Sequence, residues 1–227
     1  MVITLDEYHF KNYSQCNVPY SSLSSWQGLA YPSHVIQSVS LPLQVLTFFM
    51  IMRKTPGHMK TFSYPLLFNH FWCTLLNLLF CSLATPYIYL KFVGGFGVGL
   101  LSWLGVPFMY QLVTGFFALS CSTSSYIFLF ESRSSSLQEN KFRITRKCFR
   151  IVYHSLIFFI NSSIFLVFFK LPADQETVKL NVLELDPCPT PEYFESDVFI
   201  VSTDQNLISF YVWFLQPSLL KPIRYGG

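Results

Sequence analysis

Few residues in this sequence have the type and spacing to do chemistry. Glu131 and Arg133 flank Ser132, placing a carboxylate and a guanidinium close enough in sequence for an ionic contact that can be made and broken. The plainer alternative is an arginine snorkelling at a membrane edge beside a carboxylate. Asn12-Tyr13-Ser14 is an N-glycosylation sequon, usable only on a lumenal segment. Asn161-Ser162-Ser163 has the same pattern but lies inside an apolar run, beyond reach of the transferase. Trp103, Tyr110 and Gln111 combine aromatic faces with an amide, a set suited to a small organic ligand. Trp and Tyr also serve as interface-belt residues. The run from Ser120 to Ser125 reads as close helix packing, with lining of a ligand site as the alternative. His70 and His154 have no Cys, Asp or Glu at helical spacing to complete a metal site. There is no nucleophile elbow, no Walker motif and no pair of enclosed acids, so neither an enzyme nor a cofactor is expected.

The elements that must position these residues are membrane spans. Hydrophobic residues make up 52% of the chain and charged residues 12%, about half the charge usual in a soluble domain. Five apolar segments are expected as spans of an all-α polytopic bundle: residues 35–52, 65–90, 101–130, 151–169 and 200–216. The last is interrupted by polar residues and Pro217 follows it. Residues 1–34 form an N-terminal arm, 170–199 a long loop and 221–227 a short tail. Prolines within the spans suit a bundle whose neighbouring helices re-satisfy the freed carbonyls. No basic start or apolar middle marks a cleaved signal peptide in the first thirty residues.

Charge orients the spans. The segment IMRKTPGHMK at 51–60 packs Arg53, Lys54 and Lys60 between two apolar runs. The loop at 131–150 holds Arg133, Lys141, Arg143, Arg146, Lys147 and Arg150. Lysine and arginine in short loops stay cytoplasmic, so loops 53–64 and 131–150 face the cytoplasm and the N-terminus lies outside. Every acidic residue except Glu131 and Glu139 then falls on the exported side. Cys73, Cys81 and Cys121 lie in spans and Cys148 at a cytoplasmic edge, leaving Cys16 and Cys188 on the oxidising side. A bridge between them is expected; the alternative is two unpaired thiols.

The order of short motifs resembles the nematode seven-transmembrane chemoreceptors called serpentine receptor class H. The matching text is Lys54-Thr55-Pro56 with Met59-Lys60, then Asn69-His70-Phe71-Trp72, Ala84-Thr85-Pro86-Tyr87 and Phe130-Glu131-Ser132-Arg133. It continues with Leu171-Pro172-Ala173-Asp174-Gln175-Glu176, Asp186-Pro187-Cys188-Pro189 and Val198-Phe199-Ile200-Val201. The likeness covers roughly residues 30–212. It implies a G-protein-coupled, seven-span fold in the plasma membrane of chemosensory cilia, with a small-molecule ligand and a heterotrimeric G protein as partners. It also makes Glu131 and Arg133 similar to the acidic-arginine switch of rhodopsin-like receptors. Five spans of an expected seven suggest an incomplete or truncated member, with retention in the endoplasmic reticulum as one fate. The alternative function is a non-signalling membrane partner that pairs with full-length receptors. Lipid bilayer is an expected partner on either reading, and nucleic acid is not.

Overall fold

In the computed structural model the described residues are 4–16, 21–22, 25–57, 60–89, 92–136, 144, 146–163, 165, 172, 174–195 and 197–203. They fall into two compact units, one of long helices and one built around a small sheet.

The helical unit comprises residues 22–86 and 97–165. Helix α2, Trp26–Lys54, has 29 residues, about 43 Å of helix. Its N-cap Ser25 and C-cap Thr55 are both extended, and Pro56 disfavours helix at Thr55. The expected span 35–52 is therefore the middle of a longer helix. Hydropathy marks what hydrocarbon can cover, whereas capping sets where the helix stops. Ala30, Gln37 and Ile51 are its buried residues, while Val35, Ile36, Val39, Leu43, Phe49 and Met52 are exposed. A helix that buries an amide and exposes its branched aliphatics fits lipid, not water.

Helix α3, Lys60–Leu78, continues as a π turn over Leu79–Leu83. The expected span 65–90 leaves helix there because Pro86 lacks an N–H and biases Thr85 out of helical geometry. Thr85 adopts φ 40°, and residues Pro86–Tyr89 form a strand. The carbonyl of Ala84 is taken up by the N–H groups of Val98, at 3.2 Å, and Gly99, at 3.0 Å.

The expected span 101–130 is two helices. Short α4, Leu100–Trp103, ends at Gly105, whose φ of 77° favours glycine, and α5, Phe108–Ser136, starts just after Pro107. Along α5 the residues Phe108, Gln111, Gly115, Ala118, Ser122, Ser125, Leu129 and Ser132 are buried, spaced alternately by three and four. That is one helical face, and most of it is small, which lets backbones approach closely. Helix α6, Lys147–Asn161, takes up the first part of the expected span 151–169, whose residues 166–169 lie outside the described set. Helix α3 packs on both α2 and α5, and α6 packs on α5.

The sheet unit comprises residues 1–21, 87–96 and 166–227. An all-α bundle does not include its three strands, ordered β1 (Pro86–Tyr89), β2 (Val93–Gly97) and β3 (Phe199–Ser202). Strands β2 and β3 are antiparallel, pairing Val93 with Ser202, Gly94 with Ile200 and Gly95 with Phe199 across a bulge. A Cβ at Gly95 would run into the Tyr87 carbonyl, so glycine permits the close approach of the backbones. Of the expected fifth span, residues 200–202 belong to β3 and residues 204–216 lie outside the described set.

Three short helices complete this unit: α1 (Leu5–Lys11), α7 (Gln175–Leu185) and α8 (Glu192–Glu195). Thr4 caps α1 by accepting from the Glu7 N–H, and Asp174 caps α7 by accepting from Glu176 N–H at 3.0 Å. The Gln175 amide pairs with Ile200 in both directions, donating to its carbonyl at 3.2 Å and accepting from its N–H at 2.9 Å. Those bonds satisfy backbone groups of β3 that a fourth strand would otherwise take. The core is Phe92, Val182, Leu183, Tyr193 and Ile200, with the Tyr193 hydroxyl donating to the Lys179 carbonyl at 2.9 Å. Cys16 and Cys188 are disulfide-bonded across 172 residues of sequence, with Cα atoms 5.7 Å apart.

Candidate functional site

Helix α6 is amphipathic in the sense a membrane helix requires. Phe149, Ile151, Val152, Leu156 and Phe159 are exposed, while Arg150, His154 and Asn161 turn toward α5. The polar stripe meets one carboxylate. Glu131 Oε2 accepts from Arg150 Nε at 2.7 Å and lies 2.6 Å from its terminal nitrogen. His154 Nε2 is 3.3 Å from the same oxygen, and the Ser135 hydroxyl donates to Oε1. Arg150 also donates to Ser132 Oγ at 2.9 Å and stands 5.7 Å from the centre of the Phe128 ring. The Glu131 side chain is 9% exposed. Its oxygens are thus occupied by partners from both helices. The cluster therefore ties the end of α5 to the start of α6.

This geometry separates Glu131 from the partner expected in sequence. Arg133 is exposed, and Glu131 is held by Arg150 and His154 instead. Residues two apart on a helix do not face each other, so adjacency in sequence was a poor guide. The available signal was the four-residue spacing of Arg150 and His154 within a largely apolar helix.

The other candidate residues are dispersed. Trp103 and Tyr110 are 82% and 63% exposed, whereas Gln111 is buried and folded inward. Its amide donates to Ser102 Oγ at 2.9 Å and to the Val106 carbonyl at 2.7 Å, closing the α4–α5 turn. The break at Gly105 puts Trp103 on a separate short helix from Tyr110 and Gln111. Asn12 is exposed just after α1. Asn161 donates to Ser124 Oγ at 3.3 Å, and its carbonyl accepts from Ser120.

The serine run joins helices. Ser125 donates to Asn69 Oδ1 at 3.1 Å, Ser122 lies 3.3 Å from the Cys73 sulfur, and Asn77 donates to Ser40 at 3.3 Å. His70 Nε2 is 2.9 Å from the Gln44 carbonyl, tying α3 to α2.

Two cavities adjoin the Glu131 cluster. One of about 560 Å3 lies at the helix ends, lined by Ser132, Ser135, Ser136, Lys147 and Arg150 with Phe62 and Pro65. The other, about 480 Å3, is aromatic and lined by Phe68, Trp72, Cys121 and Phe158. Tyr64, Phe128 and Arg150 belong to both. Around this end Arg53, Lys54, Lys60, Arg133, Arg146 and Lys147 are all exposed. Among the described residues of the helical unit, Glu131 is the one carboxylate.

Comparison with known proteins places this arrangement in context. The family model described as "Serpentine type 7TM GPCR chemoreceptor Srh" matches residues 24–220. Serpentine receptor class H-72 of Caenorhabditis elegans is 31% identical over 184 residues, 80% of this chain and 53% of that protein. The chain thus spans about half the length of the curated relative it matches. No solved structure matches it.

Proposed function

The chain belongs to the Srh family of serpentine chemoreceptors, integral membrane proteins of receptor type, and on that premise we propose that it detects small-molecule cues. In this reading the N-terminal arm and the disulfide-tied sheet unit face outward, in keeping with a bridge that persists on the oxidising side. The basic helix ends around Arg53, Lys54, Lys60, Arg133 and Lys147 face the cytoplasm, where a heterotrimeric G protein reads them. The membrane is that of sensory cilia, as the resemblance implies, and Asn12 carries a glycan.

The observation that carries the proposal is the Glu131–Arg150–His154 contact. It joins α5 to α6 amid exposed positive charge, so a ligand that biases the helices alters what the cytoplasmic face presents. In this reading Arg150, and not Arg133, is the cation that pairs with Glu131.

The test is guanine-nucleotide exchange on heterotrimeric G protein in membranes containing the chain. Glu131→Gln weakens the contact and is expected to raise ligand-independent exchange severalfold. Exchange at background for both the natural chain and Glu131→Gln, across G-protein classes and a panel of small organic cues, overturns the signalling role. The orientation is checked separately. An N-terminal epitope should stain intact cells, and Asn12→Gln should abolish a glycosidase-sensitive shift in mobility.

A further inference from the structure

The two cavities beside Glu131 share a wall but differ in chemistry, and the difference is ordered along the helices. The outer one carries three serine hydroxyls and two cationic side chains at the end of α5 and the start of α6. The inner one is reached past Tyr64, Phe128 and Arg150 and is walled by Phe68, Trp72, Cys121 and Phe158. Trp72 lies twelve residues beyond Lys60 at the start of α3, about 18 Å along its axis. Polar at the helix ends and aromatic toward the middle is the order of a phospholipid in one leaflet.

We propose that the two adjacent cavities together hold one anionic phospholipid, its phosphate against Lys147, Arg150 and the serines and one acyl chain in the aromatic groove. Charge complementarity carries the choice of head group. Glu131 is already matched by Arg150 and His154, so Lys147 has no acidic partner among the described residues, and Arg146 stands exposed beside it. Basic pockets between membrane helices select anionic head groups. A zwitterionic lipid would bring its own cation against Lys147. A water-soluble phosphate would leave the aromatic groove unfilled, and exposed Ile151, on the lipid-facing side of α6, lines that groove. The inference needs the bundle to be in a bilayer and nothing of chemoreception.

The experiment reconstitutes the full chain in nanodiscs of phosphatidylcholine doped with phosphatidic acid. Native mass spectrometry then reads the lipid that stays bound after release. Phosphatidic acid is expected to be retained over phosphatidylcholine by at least about tenfold. Lys147→Glu, at an exposed site, should abolish that preference. Ser155→Trp fills the groove from an exposed position on α6 without changing charge, and should lower retention of the lipid while leaving helix content by circular dichroism unchanged. Glycerol phosphate, which carries the head group alone, should fail to displace the lipid. Equal retention of the two lipids overturns the proposal, as does a Lys147→Glu protein that still prefers phosphatidic acid. Full displacement by glycerol phosphate assigns the pocket to free phosphate and overturns the lipid. A protein that retains the lipid but drives no nucleotide exchange refutes the receptor role alone. One that drives exchange without lipid preference refutes only the lipid site.

Discussion

Along α5 most buried residues are small, among them Gly115, Ala118, Ser122 and Ser125, with Phe108 and Leu129 toward the ends, while Phe117, Tyr126 and Phe130 of the same helix point out. The sheet unit does the reverse, enclosing Phe92, Tyr193 and Leu183 and exposing Asp6, Asp174 and Glu176. Water rewards burial of large apolar surface, so the sheet unit has an aromatic core and a charged exterior. Lipid offers no such reward between helices, so the helical unit is held by close backbone approach and by hydrogen bonds such as Ser125 to Asn69. One chain therefore carries two opposite meanings of a buried residue. A hydrophobic face marks the core in one unit and the outside in the other.

The largest expected break in this comparison is Tyr193→Ala. It empties a fully buried aromatic site in the sheet unit and should cost about 3–5 kcal/mol there. Hydrogen exchange should rise through α7 and β3, with amides of α3 and α5 unchanged; an equal rise in both units would show that they do not differ as argued. Cys188→Ser comes next, at about 2–5 kcal/mol for a bridge in a small domain. It should open α1 and α7 to protease and leave the protection of α5 intact. In the helical unit Ser125→Leu reverses the rule by adding bulk to a tight seam, and should cost about 1–3 kcal/mol despite being more apolar. Ser125→Ala, which only removes hydrogen bonds, should cost about 0.6 kcal/mol. Steric-trap or denaturation measurements of both variants check the order, and a stabilising Ser125→Leu would contradict it.

Alkali sharpens the contrast. Burial holds the Tyr89 and Tyr193 hydroxyls above their ordinary value of about 10. Below that pH both the folded and unfolded chains keep these protons. Above it the unfolded chain releases protons that the folded unit retains, so stability falls as pH rises from about 10. Tyrosinate absorbance from these two residues should appear together with loss of protection in α7. Tyr193→Phe should weaken that coupling, at a cost of about 1 kcal/mol for the bond to the Lys179 carbonyl.

Much of this was legible in the residues. The density of apolar runs marked the long helices, and the clustering of Arg53, Lys54 and Lys60 against acidic residues elsewhere separated two environments. Elimination among six cysteines singled out Cys16 and Cys188. Helix limits were less legible, because hydropathy is blind to where Pro86 and Gly105 end a helix. The strands around Gly94 and Gly95 read as an approach to a span, since a glycine-rich run with few branched residues carries little strand signal.

The sequence by itself determined that the chain is a membrane protein of this receptor family, because composition, charge order and motif order are local properties of the text. The tertiary structure alone decided that Glu131 meets Arg150 and His154, that Gln111 closes a turn, and that two cavities share lining residues beside α6. The first and last depend on which faces of α5 and α6 meet, and the second on how the chain turns between α4 and α5. Helix pairing is set by small-residue packing across residues far apart in sequence, and no single segment contains it.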